Sequence, residues 1–150
     1  MSRKELSVSA LENGTVLDHI PAENVYKALD LLGLKDIESQ ITIGINLASK
    51  LHGKKGIIKI ADKFFEAEEL NKLALIAPKA TVNIIRDFKV VEKMTLVTPS
   101  EVIGIAKCRN PKCVTNHQPI KTRFATIIDD DKISLKCHYC EKISGIKHIF

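Results

Sequence analysis

The stretch NGTVLDHIPAENVYKALDLLG, from Asn13 to Gly33, changes from a strand pattern to a helix pattern at Pro21. Its first part, TVLDHI, is rich in β-branched and aliphatic residues and follows the turn-forming pair Asn-Gly, so it predicts a β-strand. After the proline, apolar residues recur with the spacing of one helical face, at Val25, Ala28, Leu29 and Leu32. Because glycine commonly ends a helix, we expect a strand followed directly by a helix that stops at Gly33.

The remainder of the first hundred residues continues this alternation. ELSVSAL (5–11) predicts a short β segment before the Asn-Gly pair, and QITIGINLAS (40–49) and GIIKIA (56–61) predict a hairpin joined by the polar loop KLHGKK. EAEELNKLALIAP predicts a second helix with an acidic start and a stop at Pro78, and ATVNIIRDFKVVEKMTL predicts two further strands. The order β-α-β-β-α-β with an extra strand predicts a ferredoxin-like, or split βαβ, antiparallel sheet with both helices on one face.

The stretch VTPSE is the expected linker, because proline removes a donor from a β-ladder and such a polar run seldom lies within a strand. Three β segments follow it, EVIGIAK, IKTRFATIID and KISLKC. The chain is thus predicted to be an α+β protein with domains at residues 1–96 and 101–150, the second small, all-β and zinc-ribbon-like, and a linker at 97–100. A domain of about 50 residues is near the lower limit for folding on its own core.

Four cysteines occur, in the pattern C-x4-C, a gap of 23 residues, and C-x2-C. Two short loops that each present a pair of thiolates predict one structural Zn²⁺, bound by Cys108, Cys113, Cys137 and Cys140. Two disulfides are the alternative, but the charged N-terminal sequence MSRKELSVSA gives no indication of a secreted protein. His117 and His138 are further possible ligands, although four thiolates already complete a tetrahedral site.

The net charge of +5 is concentrated in residues 101–150, where nine Lys and Arg face five Asp and Glu. This bias permits an acidic protein partner or, as an alternative function, a free-standing zinc-ribbon protein that binds nucleic acid. Nucleic-acid binding favours aromatic rings interleaved with basic residues, and this region offers Phe124, Tyr139 and Phe150 alone. Since no run of about 18 apolar residues occurs, we expect a cytoplasmic protein without membrane association.

Asp18 and His19 are adjacent at the end of the first predicted strand, but we do not expect a catalytic pair. Neighbouring residues in a strand point to opposite faces, and the chain has no G-x-S-x-G motif. It also has no P-loop and no G-x-G-x-x-G, so a phosphate ligand would have to be bound by side chains such as His19, Lys59, Lys89 and Lys93. By pattern alone, these lysines fit a solvated strand face equally well.

The segments NGTVLDHIPA, ITIGINLAS, IIKI, LALIAPKATVN and LKCHYCEK, in this order, closely resemble the regulatory chain family of aspartate carbamoyltransferase. The resemblance covers nearly the whole chain and implies a non-catalytic subunit whose first domain binds the nucleotide effectors CTP, ATP and possibly UTP. It assigns the nucleotide contacts to Val8, Ala10, Leu11, Val16, Asp18, His19, Lys59, Asn83, Ile85, Phe88, Val90 and Lys93.

The same resemblance implies the partners of the chain. The zinc domain would contact the catalytic chain, and the first domain would pair with a second regulatory chain. The resulting complex would combine catalytic trimers with regulatory dimers, and nucleic acid is not expected as a partner.

Overall fold

The computed structural model describes residues 10–49, 53–130 and 132–146. The chain divides into two compact units, with the boundary between Val97 and Thr98. The first unit contains strands β1 to β5 and helices α1 and α2, and their bounds are β1 Gly14–Pro21, α1 Val25–Leu31, β2 Ile41–Ser49, β3 Gly53–Ala61, α2 Ala67–Asn71, β4 Thr81–Arg86 and β5 Lys89–Thr95. Short 3-10 turns flank both helices, at Ala22–Asn24, Leu34–Asp36 and Lys72–Leu75.

The five strands form one antiparallel sheet in the order β2-β3-β1-β4-β5. This is the predicted split βαβ arrangement with an extra strand at one edge, so the ferredoxin-like fold is confirmed. One face of the sheet supplies fully buried residues that alternate along the strands, and the helices supply the residues opposite them: Leu17, Ile58, Ile60 and Val82 from the sheet, and Val25, Ala28, Leu70 and Leu73 from the helical segments.

Local sequence explains where the helices begin and end. Gly33 adopts a left-handed conformation (φ 66°) directly after the last turn of α1, as expected for a glycine stop. At the start of α2, the Glu69 side chain accepts a hydrogen bond from the Glu66 N–H at 3.1 Å. The predicted second helix is confirmed in position, but its second half is a 3-10 turn that ends before Pro78.

Two predicted β segments differ from the structure. Ala10 and Leu11 are not in a strand, and the rest of the segment ELSVSAL lies outside the described residues. The β2–β3 hairpin is confirmed, but β3 begins at Gly53, so part of the predicted loop KLHGKK continues the ladder.

The second unit is a four-stranded antiparallel sheet in the order β6-β7-β8-β9. The strand bounds are β6 Glu101–Ile103, β7 Arg123–Asp129, β8 Lys132–Cys137 and β9 Ile143–Gly145. The first three strands were predicted, whereas β9 was not, because three residues are too few to show an alternating pattern. No helix in the described part of the chain is long and apolar enough to cross a membrane.

Candidate functional site

The second unit brings its four cysteine sulfurs into one cluster. All four Sγ atoms lie within 4.8 Å of one another. The Sγ atoms of Cys108 and Cys140 are 3.6 Å apart, and those of Cys113 and Cys137 are 3.7 Å apart. The first two cysteines come from the loop between β6 and β7, and the other two from the end of β8 and the turn after it.

These distances fit a tetrahedral metal ion. A Zn–S bond of about 2.3 Å places two sulfurs of a tetrahedron about 3.8 Å apart, close to both measured pairs. Neither histidine of the neighbourhood belongs to the cluster: His117 Nε2 lies 2.7 Å from the Pro111 carbonyl oxygen, and the His138 ring packs edge-on against Tyr139. A site closed by four sulfurs can hold a structural ion but leaves no position for a reacting water.

Burial and hydrogen bonding shift the pKa values of the cysteine thiols in different directions. Burial raises the pKa of Cys108 to about 12. Burial also raises the pKa of Cys140, but hydrogen bonds from Asn110 and Lys142 outweigh it and lower this pKa to about 7. A metal ion would displace the remaining protons, because the ligand is the thiolate.

The face of the first sheet opposite the helices carries a row of four residues at matching positions on neighbouring strands, and three of the four are polar or charged. Val16 on β1 is paired with Lys59 on β3 and with Asn83 on β4, and Asn83 is paired with Lys93 on β5. We call these four residues the lysine row. Three strand spacings of about 4.8 Å put the two lysine Cα atoms about 14 Å apart, with their side chains on the same face.

An apolar cluster on the same face includes Val16 of the lysine row. Val16, Ile57 and Ile85 are buried there, and Leu11 and Leu47 pack against them. At the end of this face, a cavity of about 210 Å³ is lined by Ala10, Leu11, Glu12, Asn13, Gln40, Thr42, Lys59, Ala61 and Asp62. Cationic groups, apolar side chains and a cavity therefore adjoin on one surface, as a ligand with a charged and an aromatic part requires.

Asp18 and His19 lie closer together than the alternation of a regular strand allows, and the prediction that they point apart is wrong. A β-bulge between Leu17 and Ile20 gives His19 a positive φ of 60°. As a result, His19 Nδ1 is 4.0 Å from Asp18 Oδ2 and 3.2 Å from Thr81 Oγ1. The two side chains form part of one polar group at the end of β1.

Lys55 adjoins the predicted site residue Asp18, a contact that the sequence pattern did not indicate. Its Nζ lies 2.9 Å and 3.2 Å from the two carboxylate oxygens of Asp18, and both side chains are about one-fifth exposed. The sequence pattern placed Lys55 in a loop, whereas the ladder of β3 carries it next to β1. Burial lowers the pKa of the nearby Lys59 from its usual value, and the charge of Asp18 partly opposes this shift.

The remaining predicted nucleotide contacts lie at the β4–β5 turn or outside the described residues. Phe88 occupies the turn itself with 64% of its side chain exposed, and Val90, half exposed, follows it on β5. Val90 is paired with Ile85 across a ladder irregularity, which places it beside the apolar cluster. Val8 lies outside the described residues.

Comparisons with known proteins cover both units. Residues 6–97 match the family described as the allosteric domain of the aspartate carbamoyltransferase regulatory chain, and residues 100–150 match its metal binding domain. The chain is 55% identical to the aspartate carbamoyltransferase regulatory chain of Parabacteroides distasonis over 93% of its own length and 90% of the relative. It is 51% identical to that of Porphyromonas gingivalis (97% and 96% covered) and 46% to that of Pyrococcus horikoshii (92% and 91%).

Proposed function

Because the chain belongs to the aspartate carbamoyltransferase regulatory chain family, and is thus a non-catalytic subunit, we propose that it binds nucleoside triphosphates on the lysine-row face. The proposed effectors are CTP and ATP, with UTP as a further candidate. The proposed domains are residues 1–96, which bind the nucleotide, a linker at 97–100, and residues 101–150, which bind zinc and contact the catalytic chain. Family membership displaces the alternative of a nucleic-acid-binding zinc ribbon.

The lysine row is the observation that carries this proposal. A triphosphate has close to four negative charges, and no glycine-rich loop at a helix N-terminus is present in the sequence to hold them. Lys93 and His19 therefore bind phosphate, and Lys59 binds phosphate or ribose. Asp18 would repel phosphate, so its carboxylate accepts hydrogen bonds from the ribose hydroxyls, and its ion pair with Lys55 fixes it in place.

The apolar residues next to the row receive the base. Leu11 and Ile85 belong to the apolar cluster, and Val90 is paired with Ile85, so these three side chains form the wall of the base pocket. Backbone groups near Ala10 and Phe88 read the edge of the base. Purines and pyrimidines can then share one site, because neither the wall nor the backbone demands a particular ring size.

In the second unit, the four cysteines hold one structural Zn²⁺, which cross-links the β6–β7 loop to the end of β8. The folded zinc domain docks on a catalytic chain, while the first domain pairs with a second regulatory chain. The complex is a cytoplasmic assembly of catalytic trimers and regulatory dimers. Mixing the chain with the catalytic chain and following aspartate saturation with and without nucleotide tests the regulatory role as a whole.

Calorimetry with the full chain tests the nucleotide site. Loss of a charged hydrogen-bond partner costs roughly 1.5 to 3 kcal/mol, so Lys59→Ala and Lys93→Ala should each weaken CTP binding by about one to two orders of magnitude. Lys79→Ala is the control, because Lys79 is exposed and lies before β4, outside the lysine row. CTP and ATP should compete for the site. Unchanged CTP affinity in both lysine variants, or additive binding of the two nucleotides, would refute the assignment.

A further inference from the structure

Glu12 and Asn13, directly before β1, form hydrogen bonds to two other segments of the first unit. The Asn13 carbonyl oxygen accepts a hydrogen bond from the Asp62 N–H at 2.9 Å. Its side-chain Oδ1 accepts another from the Asp87 N–H at 3.2 Å, and the Glu12 carbonyl oxygen accepts one from the Phe88 N–H at 2.9 Å. The end of β3 and the β4–β5 turn are thereby both tied to the same two residues.

The β4–β5 turn has a conformation that its sequence disfavours. Asp87 and Phe88 have φ values of 51° and 65°, which is the geometry of a two-residue hairpin turn that prefers Asn-Gly or Asp-Gly. A phenylalanine in the left-handed region is strained, because its Cβ approaches the following carbonyl oxygen. The Phe88 side chain is also 64% exposed, so packing into the core does not hold it there. Strained residues of this kind concentrate at ligand sites.

The close approach of Gly14 to β3 fixes the position of the neighbouring Asn13 backbone. A Cβ at Gly14 would lie 2.1 Å from the Ile60 carbonyl oxygen, and φ is +145°. No side chain fits there, so the backbone at residues 12–14 lies directly against the end of β3. Asn13 consequently reaches the β4–β5 turn from a fixed point on the sheet.

We propose that Asn13 is a positioning residue for the base of the bound nucleotide, an inference that rests on the nucleotide site proposed above. Its side chain and the Glu12 carbonyl hold the strained turn that contains Phe88, and Glu12 and Asn13 themselves line the cavity. An aromatic residue whose backbone is held in one conformation can pack against a base at a smaller ordering cost, which improves affinity by preorganisation. The phosphates are bound by Lys93 and His19, neither of which lines this cavity.

This role predicts that a substitution at Asn13 weakens binding of the base and leaves binding of the phosphates unchanged. Asn13→Ala removes one neutral hydrogen bond, so the full chain should bind CTP about two- to tenfold more weakly. Inorganic tripolyphosphate, which has no base, should bind the variant as it binds the wild type. Asn13→Asp keeps an acceptor oxygen at the same place and should preserve the ratio of CTP to tripolyphosphate affinity.

The matched control is Asn71→Ala, which also removes a single side-chain hydrogen bond to a backbone N–H, that of Val97 at 3.0 Å. It should leave the affinity ratio unchanged. Amide hydrogen exchange supplies a readout without ligand: the Asp87 amide should exchange faster in Asn13→Ala and at the wild-type rate in Asn13→Asp.

The outcomes separate the two proposals. If Asn13→Ala leaves CTP affinity unchanged, or lowers CTP and tripolyphosphate affinity by the same factor, the positioning role is refuted while the nucleotide site stands. If the wild-type chain binds neither probe, the nucleotide site itself is refuted, and the role of Asn13 with it.

Discussion

The cysteine cluster of the second unit and the lysine row of the first are assembled in different ways. The four cysteines come from two short sequence motifs, and the chain folds back once to join them. The lysine row draws on four strands that are aligned only by the register of the sheet. Spacing along the chain therefore reveals the first site, whereas the second becomes visible only when the strand pairing is known.

The two units also differ in what stabilises them. In the first unit, a sheet face and two helices enclose a core of fully buried aliphatic residues. In the second unit, fully buried side chains are few among the described residues, and the larger ones are Phe124, Leu135 and Val102. Three of its four cysteines are buried next to this small core. We infer that packing holds the first unit and that metal binding supplies much of the stability of the second.

Loss of the metal has the largest expected effect and separates the two units most clearly. Structural zinc contributes about 10–16 kcal/mol to small metal-dependent domains, so Cys137→Ser or chelation should unfold residues 101–150 and leave the first unit folded. Metal analysis together with amide NMR spectra measures both results. His138→Ala, one residue away but outside the cluster, is the control and should keep its metal. A second unit that stays folded after verified metal loss would mean that packing suffices there too.

A substitution at the β4–β5 turn should change the free energy of unfolding of the first unit by a smaller amount, and should raise it. Glycine relieves the left-handed strain at Phe88 but adds entropy to the unfolded chain, so Phe88→Gly should stabilise the first unit by about 0.5–1 kcal/mol. The same variant should weaken nucleotide binding, because the exposed ring is lost. Thermal unfolding and calorimetry measure the two effects. A destabilised Phe88→Gly protein would show that the turn is not strained.

The smallest expected effect concerns an ion pair on the surface of the second unit. Arg123 Nε and Nη2 lie 2.8 Å and 3.2 Å from the Glu101 carboxylate, and this hydrogen-bonded pair lowers the pKa of Glu101. Its stabilisation is thus present above the unfolded pKa of glutamate and is lost as the pH falls through the lower folded pKa. NMR titration should find the Glu101 pKa below its ordinary value and restored in Arg123→Ala. Exposed ion pairs contribute little to the free energy of unfolding, so Glu101→Gln should barely change metal retention.

The sequence predicted the elements well, and its errors have local causes. Alternation and helical spacing located β1 to β8 and both helices, because those patterns reflect which face is buried. The relation of Asp18 to His19 was predicted wrongly, since a bulge depends on how β1 pairs with β3 and leaves no periodic trace. Lys55 was missed for the same reason, because its neighbours come from pairing rather than from sequence.

The proposed nucleotide contacts show the limit of prediction from residues alone. The pattern around Lys59 and Lys93 fits an ordinary solvated strand, and only the resemblance to a family indicated a ligand. The structure places both lysines in one row, together with Val16 and Asn83. Asn13 was interpreted as part of a turn, whereas its side chain ties one strand end to another hairpin, a contact across 74 residues that no local pattern contains.

The alternation within β1 has a consequence for how such a chain can evolve. Thr15 and Leu17 face the buried core, while Val16 and Asp18 belong to the opposite face, so the same strand serves both. An inserted or deleted residue within β1 would exchange the two sets of side chains between the buried face and the opposite face. Substitution at every second position of β1 can therefore change one face and spare the other, whereas a change in the length of the strand alters both.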